Sequence, residues 1–167
     1  MRRLGLLLAA WVVAFAASAD EWIQGRVVGV HDGDTASVTT RDGHLLQVRF
    51  YGIDAPEVAN EHWPTQAFGR EAARYARKLL LKREVKVRLT GETTYRREVG
   101  EIFIDDNSAS QALVRAGLAW WNARYAPRDH DLQRLESAAR QQRIGLWHGR
   151  HPVPPWAYRQ RHKRRTS

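Results

Sequence analysis

Two short carboxylate-bearing turns flank one arginine-bearing strand in the first third of this chain. Asp32-Gly33-Asp34-Thr35 comes first, and Val48-Arg49-Phe50-Tyr51-Gly52-Ile53-Asp54-Ala55-Pro56-Glu57 lies downstream. Asp34 and Asp54 offer hard oxygen donors of the kind calcium or magnesium takes, and Glu57 is a third carboxylate able to handle a water. Arg49 presents planar donors that suit a phosphate. Acids for a cation, an acid for water and a cation for phosphate describe metal-assisted phosphodiester hydrolysis. Taken alone, Asp32-Gly33-Asp34-Thr35 is simply a turn, because Asp and Gly both favour tight reversals, and Arg49 alone is a surface strand residue. Their combination shifts both readings toward chemistry.

Pro56 biases Ala55 to an extended conformation and stops the strand, which can leave the Ala55 carbonyl facing outward between Asp54 and Glu57. Two carboxylates, one carbonyl and several waters make an acceptable calcium shell, and magnesium satisfies the same ligand types. Arg49 and Asp54 lie an odd number of residues apart, so strict alternation sends them to opposite faces of a strand. Gly52 is the residue expected to break the period, since a lone glycine in a strand often marks a bulge that re-aims the side chains after it.

The elements that must position these groups are legible as a β-rich pattern. Trp22 to His31 alternates as a strand, Thr35 to Thr40 makes a second, Asp42-Gly43 signals a hairpin and Leu45 to Ile53 returns as a third. From Gln66 to Lys82, Phe68, Ala72, Tyr75, Ala76, Leu79 and Leu80 recur at helical spacing. Glu84 to Thr90 and Val99 to Ile104 read as two further strands. Ser108 or Ser110 can cap a short helix that Gly117 ends, and a third helix spans about Asp129 to Gln142 with Gly145 terminating it. Five strands with a helix between the third and fourth is the arrangement of an oligonucleotide-binding-type (OB) barrel, an α+β fold.

Met1 to Ala19 has a basic start, an apolar stretch from Leu4 to Ala17 and small residues before Asp20, the layout of a secretory signal. The expected product is exported, to the periplasm or the medium. With no cysteine in the chain, a disulfide framework and a thiolate metal site are both excluded. The formal net charge is +9, and Arg159, Arg161, Lys163, Arg164 and Arg165 stand in a C-terminal segment without acids. That balance points to a polyanionic partner. Pro152, Pro154 and Pro155 read as the start of an extended, disordered tail, so the expected organisation is a signal over 1–19, one domain over 20–151 and a basic tail over 152–167.

These motifs, with Tyr95-Arg96-Arg97 downstream, resemble the thermonuclease (micrococcal nuclease) family of secreted, calcium-dependent, sugar-nonspecific nucleases. The resemblance runs over roughly residues 24 to 147 and includes the Ala112-Leu113-Val114-Arg115-Ala116-Gly117-Leu118-Ala119 run and the closing Gly145-Leu146-Trp147, in family order. It implies the OB barrel with three helices, metal ligation by Asp34, Asp54 and the Ala55 carbonyl, and a scissile phosphate clamped by Arg49 and Arg97. It implies that Glu57 activates or orients the attacking water and that Tyr95 and Tyr125 contact the nucleotide. It also implies DNA and RNA substrates cut to 3′-phosphate ends by a monomer with no protein partner evident. The chain departs from the family where Thr93-Thr94-Tyr95-Arg96-Arg97 replaces Asp-(any)-Tyr-Gly-Arg, and where Ala123 stands at a second tyrosine position.

Rival readings are a noncatalytic OB-fold nucleic-acid binder and a membrane-tethered adhesion protein held by its N-terminal segment. A binder has no need of Asp34, Asp54, Glu57, Arg49 and Arg97 together. His148-Gly149-Arg150-His151 lacks the helical spacing and acid of a zinc protease motif.

Overall fold

In the computed structural model, residues 21–163 are described; the expected signal segment lies outside them. Strands β1 (Glu21–Val30), β2 (Thr35–Thr40) and β3 (Leu45–Phe50) form an antiparallel meander, and β5 (Glu84–Thr94) and β6 (Arg97–Ile104) form a long hairpin. β5 pairs with β1 and β6 pairs in parallel with β3, so the five strands close into a barrel. Two-residue strands complete the set: β4 (Ile53–Asp54) pairs with β8 (Trp120–Trp121), and β7 (Asn107–Ser108) extends β6. The expected OB architecture is therefore present. Alternating apolar residues fill the interior, with Val27, Val38, Val48, Val87 and Ile102 fully buried together with Phe50.

Helix α1 (Gly69–Leu80) lies between the barrel strands in sequence and buries Ala72, Ala76 and Leu80. It starts later than the periodicity predicts because Phe68 is left-handed (φ 68°) and Gln66 is used elsewhere. Ser108 caps α2 (Ala109–Arg115) by accepting from the Gln111 N–H, while the other candidate, Ser110, is buried and donates to the Tyr51 carbonyl. Asp129 caps α3 (His130–Gln141) through the Leu132 N–H. Gly117 and Gly145, both at positive φ, meet back to back: a Cβ on Gly117 would lie 2.3 Å from the Ile144 carbonyl oxygen, and one on Gly145 would lie 2.3 Å from the Gly117 carbonyl oxygen. The Leu146 N–H donates to the same Gly117 carbonyl (2.8 Å), fastening the end of α2 to the 3-10 turn Gly145–His148 after α3. A second apolar cluster of Trp120, Ala139, Leu146 and Trp147 forms beneath it, with Trp120 edge-on to Trp147 at 4.3 Å.

The C-terminal segment differs from the extended, disordered tail expected of it. Pro155–Lys163 forms a helix, α4. Pro155 takes a position at the start of a helix that its ring favours, so the proline that suggested a linker initiates structure instead. Trp156 rests edge-on against Trp120 (5.8 Å), and the Tyr158 hydroxyl donates to the Pro64 carbonyl (3.0 Å). Among the described residues no helix is long and apolar enough to cross a membrane.

Candidate active site

The turn after β1 and the segment after β3 are pressed together at one end of the barrel. Gly33 makes this contact geometrically feasible, because a Cβ there would lie 2.6 Å from that of Ala55 and 2.8 Å from that of Ala72. Asp32 accepts from the Asp34 N–H, closing an Asx turn that sets the direction of the Asp34 side chain. Asp34 in turn accepts from the Ala55 N–H at 2.5 Å, and its own carbonyl accepts from the Phe50 N–H at 2.8 Å. Asp54 is fixed from the other side, since β4 pairs it opposite Trp120. The Trp121 N–H donates to Glu136 of α3, which anchors that small sheet.

Gly52 does what the odd spacing requires. It stands at φ 73° between β3 and β4, where a Cβ would lie 2.6 Å from Leu132, and the strand stops at Phe50 rather than running to Ile53. Arg49 and Asp54 consequently share a side, with Arg49 Nη2 2.7 Å from Asp54 Oδ1. Arg49 Nη1 pairs with Asp34 Oδ1. One guanidinium therefore spans both buried carboxylates.

Barrel closure brings in Arg97. The parallel register places Val99 beside Arg49, and Arg97 Nη1 donates to the Thr35 hydroxyl at 3.2 Å. Burial, then the nearby Arg49 charge, lower the proton affinity of Arg97, with Asp32 and Glu57 opposing. Burial pushes the Asp32 carboxyl up from its ordinary range, outweighing the opposing charge of Arg49. Arg96 is exposed and does not line the cleft; with Tyr95 it forms the two-residue turn between β5 and β6 (φ 48° at Tyr95 and 63° at Arg96). Both central residues at positive φ is the type I′ pattern that matches strand twist. The expected strands ended short of this turn because no glycine or asparagine marks it.

Glu57 is held through its backbone and its carboxylate. Gln66, itself buried, accepts from the Glu57 N–H (3.2 Å), while the Gln66 N–H donates to the Glu57 carbonyl (2.9 Å). The Trp63 indole donates to Glu57 Oε2 at 3.1 Å, and Arg159 of α4 donates to Oε1 at 2.5 Å. Arg159 also grips Asp54 in a fork, with Nη2 2.8 Å from Oδ2 and Nη1 3.2 Å from Oδ1. Burial works against the Arg159 charge, but the hydrogen bonds and charge of Asp54, then of Glu57, outweigh it and raise its proton affinity.

A cleft of about 930 Å³ is lined by Asp34, Arg49, Asp54, Ala55, Glu57 and Arg97. Tyr95 and Tyr125 line it as well, and both are exposed. Every residue to which the family resemblance gives a role in chemistry or nucleotide contact thus borders one cavity. Ala123 does not line it, and the histidine pair His148 and His151 lies elsewhere. Trp63 and Gln66 were missed, and Arg159 was read only as part of a basic tail, not as a partner of Asp54 and Glu57. Trp63 carried a signal, as an indole in an otherwise polar loop, and Gln66 carried none.

The donor chemistry suits a hard divalent cation. Asp34 and Asp54 are 4% and 1% exposed, yet both aim at a single guanidinium, so they are close enough together to share one cation. Among the described residues no cluster of three or more His, Cys, Asp or Glu groups is suited to a metal, so a cation held here draws its remaining ligands from carbonyls and water.

The family model for the staphylococcal nuclease homologue matches residues 47–149, more than half of the chain. An uncharacterized endonuclease of Escherichia coli O157:H7 is 37% identical over 140 residues, covering 83% of this chain and 86% of that protein. The protein ParB of Escherichia coli is 34% identical over 179 residues, covering 100% and 95%. A micrococcal nuclease of Shigella flexneri is 31% identical over 166 residues, covering 93% and 90%. With the acid turns, the arginines and the barrel in place, this chain belongs to the staphylococcal nuclease homologue family of phosphodiester-hydrolysing enzymes.

Proposed function

We propose that this nuclease is an exported, calcium-dependent enzyme that cuts DNA and RNA without regard to the sugar and leaves 3′-phosphate ends. The observation that carries the reading is the convergence of Asp34, Asp54, Glu57, Arg49 and Arg97 on one cleft. In this reading Asp34, Asp54 and the Ala55 carbonyl hold the cation, which when bound polarises a phosphate oxygen. Magnesium meets the same donor types, and the buried pair of carboxylates is the shared requirement.

Glu57 has one carboxylate oxygen held by the Trp63 indole and so keeps a fixed orientation toward the cleft. It accepts a proton from the attacking water or orients that water for in-line attack on phosphorus, and the 5′ oxygen departs. Arg49 and Arg97, on the neighbouring strands β3 and β6 and both lining the cleft, offer guanidinium donors to the phosphate oxygens that gain charge in the five-coordinate transition state. Tyr95 and Tyr125 present exposed rings on which bases stack, a contact that tolerates every base and either sugar. One chain supplies all of these groups, so a monomer suffices. Export is supported by the basic-then-apolar layout of residues 1–19.

The test is incubation of the purified protein with single- and double-stranded DNA and RNA in calcium, in magnesium and in chelator, with analysis of the product ends. Cleavage of both nucleic acids in calcium, abolished by chelator and yielding 3′-phosphates, is the expected result. Binding without cleavage under every condition would favour the noncatalytic reading.

A further inference from the structure

Arg159 belongs to none of the motifs that define the site, yet it forms ion pairs with two acids at its centre. It takes both oxygens of Asp54 and one oxygen of Glu57. Arg49 also pairs with Asp54, but it stands on a barrel strand paired on both edges, so its backbone is fixed and only its side chain can turn aside. Arg159 instead projects from a peripheral helix. We propose that α4 is a strap whose Arg159 competes with the divalent cation for Asp54, so that docking of α4 sets how much cation the nuclease needs. This rests on the reading of Asp54 as a cation ligand.

Three features favour competition over permanent attachment. An Asp54 carboxylate whose two oxygens are both engaged by one guanidinium has little capacity left for a cation, and the two cations repel one another at that range. The helix is only nine residues long, and Pro155 is its one buried residue, so little apolar surface holds it down. The anchors seen include the Gln66 amide on the Val153 carbonyl just before the helix (2.6 Å), the Tyr158 hydroxyl on the Pro64 carbonyl and the Trp156 edge on Trp120. Withdrawal of Arg159 therefore removes a charged anchor from a weakly held element. It also frees Glu57 Oε1, the carboxylate oxygen that the indole does not occupy.

Thermodynamic linkage makes the proposal reciprocal: if docked α4 weakens cation binding, bound cation must weaken α4 docking by the same factor. Calcium affinity by titration calorimetry and amide hydrogen exchange of residues 156–163, with and without calcium, read the two sides separately from activity. Arg159→Gln is expected to bind calcium about 5- to 150-fold more tightly than the wild type, the usual span for coupled sites. In the wild type, saturating calcium should lower the protection of α4. Tyr158→Phe, which keeps the arginine and loosens only the helix, should tighten calcium binding by a smaller factor and guards against misreading a misfolded Arg159 variant. Equal or weaker calcium affinity in both variants, or α4 protection that calcium leaves unchanged or raises, would overturn the strap. If neither the wild type nor either variant binds calcium or magnesium, the cation reading of Asp54 falls and the strap falls with it.

Discussion

At the floor of the cleft Asp34 and Asp54 are 4% and 1% exposed and tied to backbone by hydrogen bonds and strand pairing, whereas at its rim Tyr95 is 89% exposed and Tyr125 62%. The floor groups had to be oriented during folding, because a buried carboxylate without partners is too costly to leave free. The exposed rim groups keep their rotamer freedom. Chemistry on such a scaffold is stiff and intolerant of substitution, while recognition is soft and graded.

The largest effect expected is at the floor. Asp34→Ala removes one of the two carboxylates proposed to hold the cation and the acceptor for the Ala55 N–H, so it should abolish cation-dependent cleavage; residual turnover near the wild-type rate in calcium would break the division. Glu57→Gln keeps the shape and an acceptor for the Trp63 indole but cannot take a proton. Turnover should fall by about 10² to 10⁴, the usual cost of losing a proton acceptor, with substrate affinity nearly unchanged in a filter-binding assay. Arg49→Lys loses the planar fork, and loss of one transition-state donor costs about 10² to 10³ in turnover.

At the rim the same measurements should change character. Tyr95→Ala is expected to weaken single-strand binding by about 1–3 kcal/mol if one base stacks on it, leaving turnover at saturating substrate in place. A turnover loss as large as that of Arg49→Lys would move Tyr95 from rim to floor. The smallest effect concerns the turn that carries it. Arg96 sits at φ 63° without a side-chain role in the cleft, and a left-handed non-glycine residue costs about 1–2 kcal/mol, partly offset by about 0.5–1 kcal/mol of extra chain entropy for glycine. Arg96→Gly should therefore raise Tm slightly by calorimetry and leave turnover intact, which separates this residue from its neighbour Arg97.

The difference between floor and rim also explains what was legible in the sequence. The barrel was readable because its strands alternate around buried valines, and Gly52 was readable because the spacing of Arg49 and Asp54 demanded an irregularity. Both are local signals. The β5–β6 turn was missed because Tyr95 and Arg96 adopt a conformation their types disfavour, forced on them by the paired strands on either side. Helix α4 was missed for a different reason. Its composition is basic and proline-flanked, and it is held down by a set of contacts to Pro64, Gln66, Trp120, Asp54 and Glu57. No window of sequence contains both sides of such a contact. Gln66 was invisible on the same grounds: only the folded chain shows its amide joining Glu57 to Val153.

The two interlocked glycines carry an evolutionary corollary. Gly117 and Gly145 clasp the neck of an excursion that contains the loop bearing Tyr125 and the helix α3. Because the glycine contact itself is backbone against backbone, it does not depend on the side chains at the tip of the excursion, which can drift while the entry and exit points stay in register. The tyrosine loop can thus change residue by residue, whereas a substitution at either glycine would pry open the clasp and disturb every part at once.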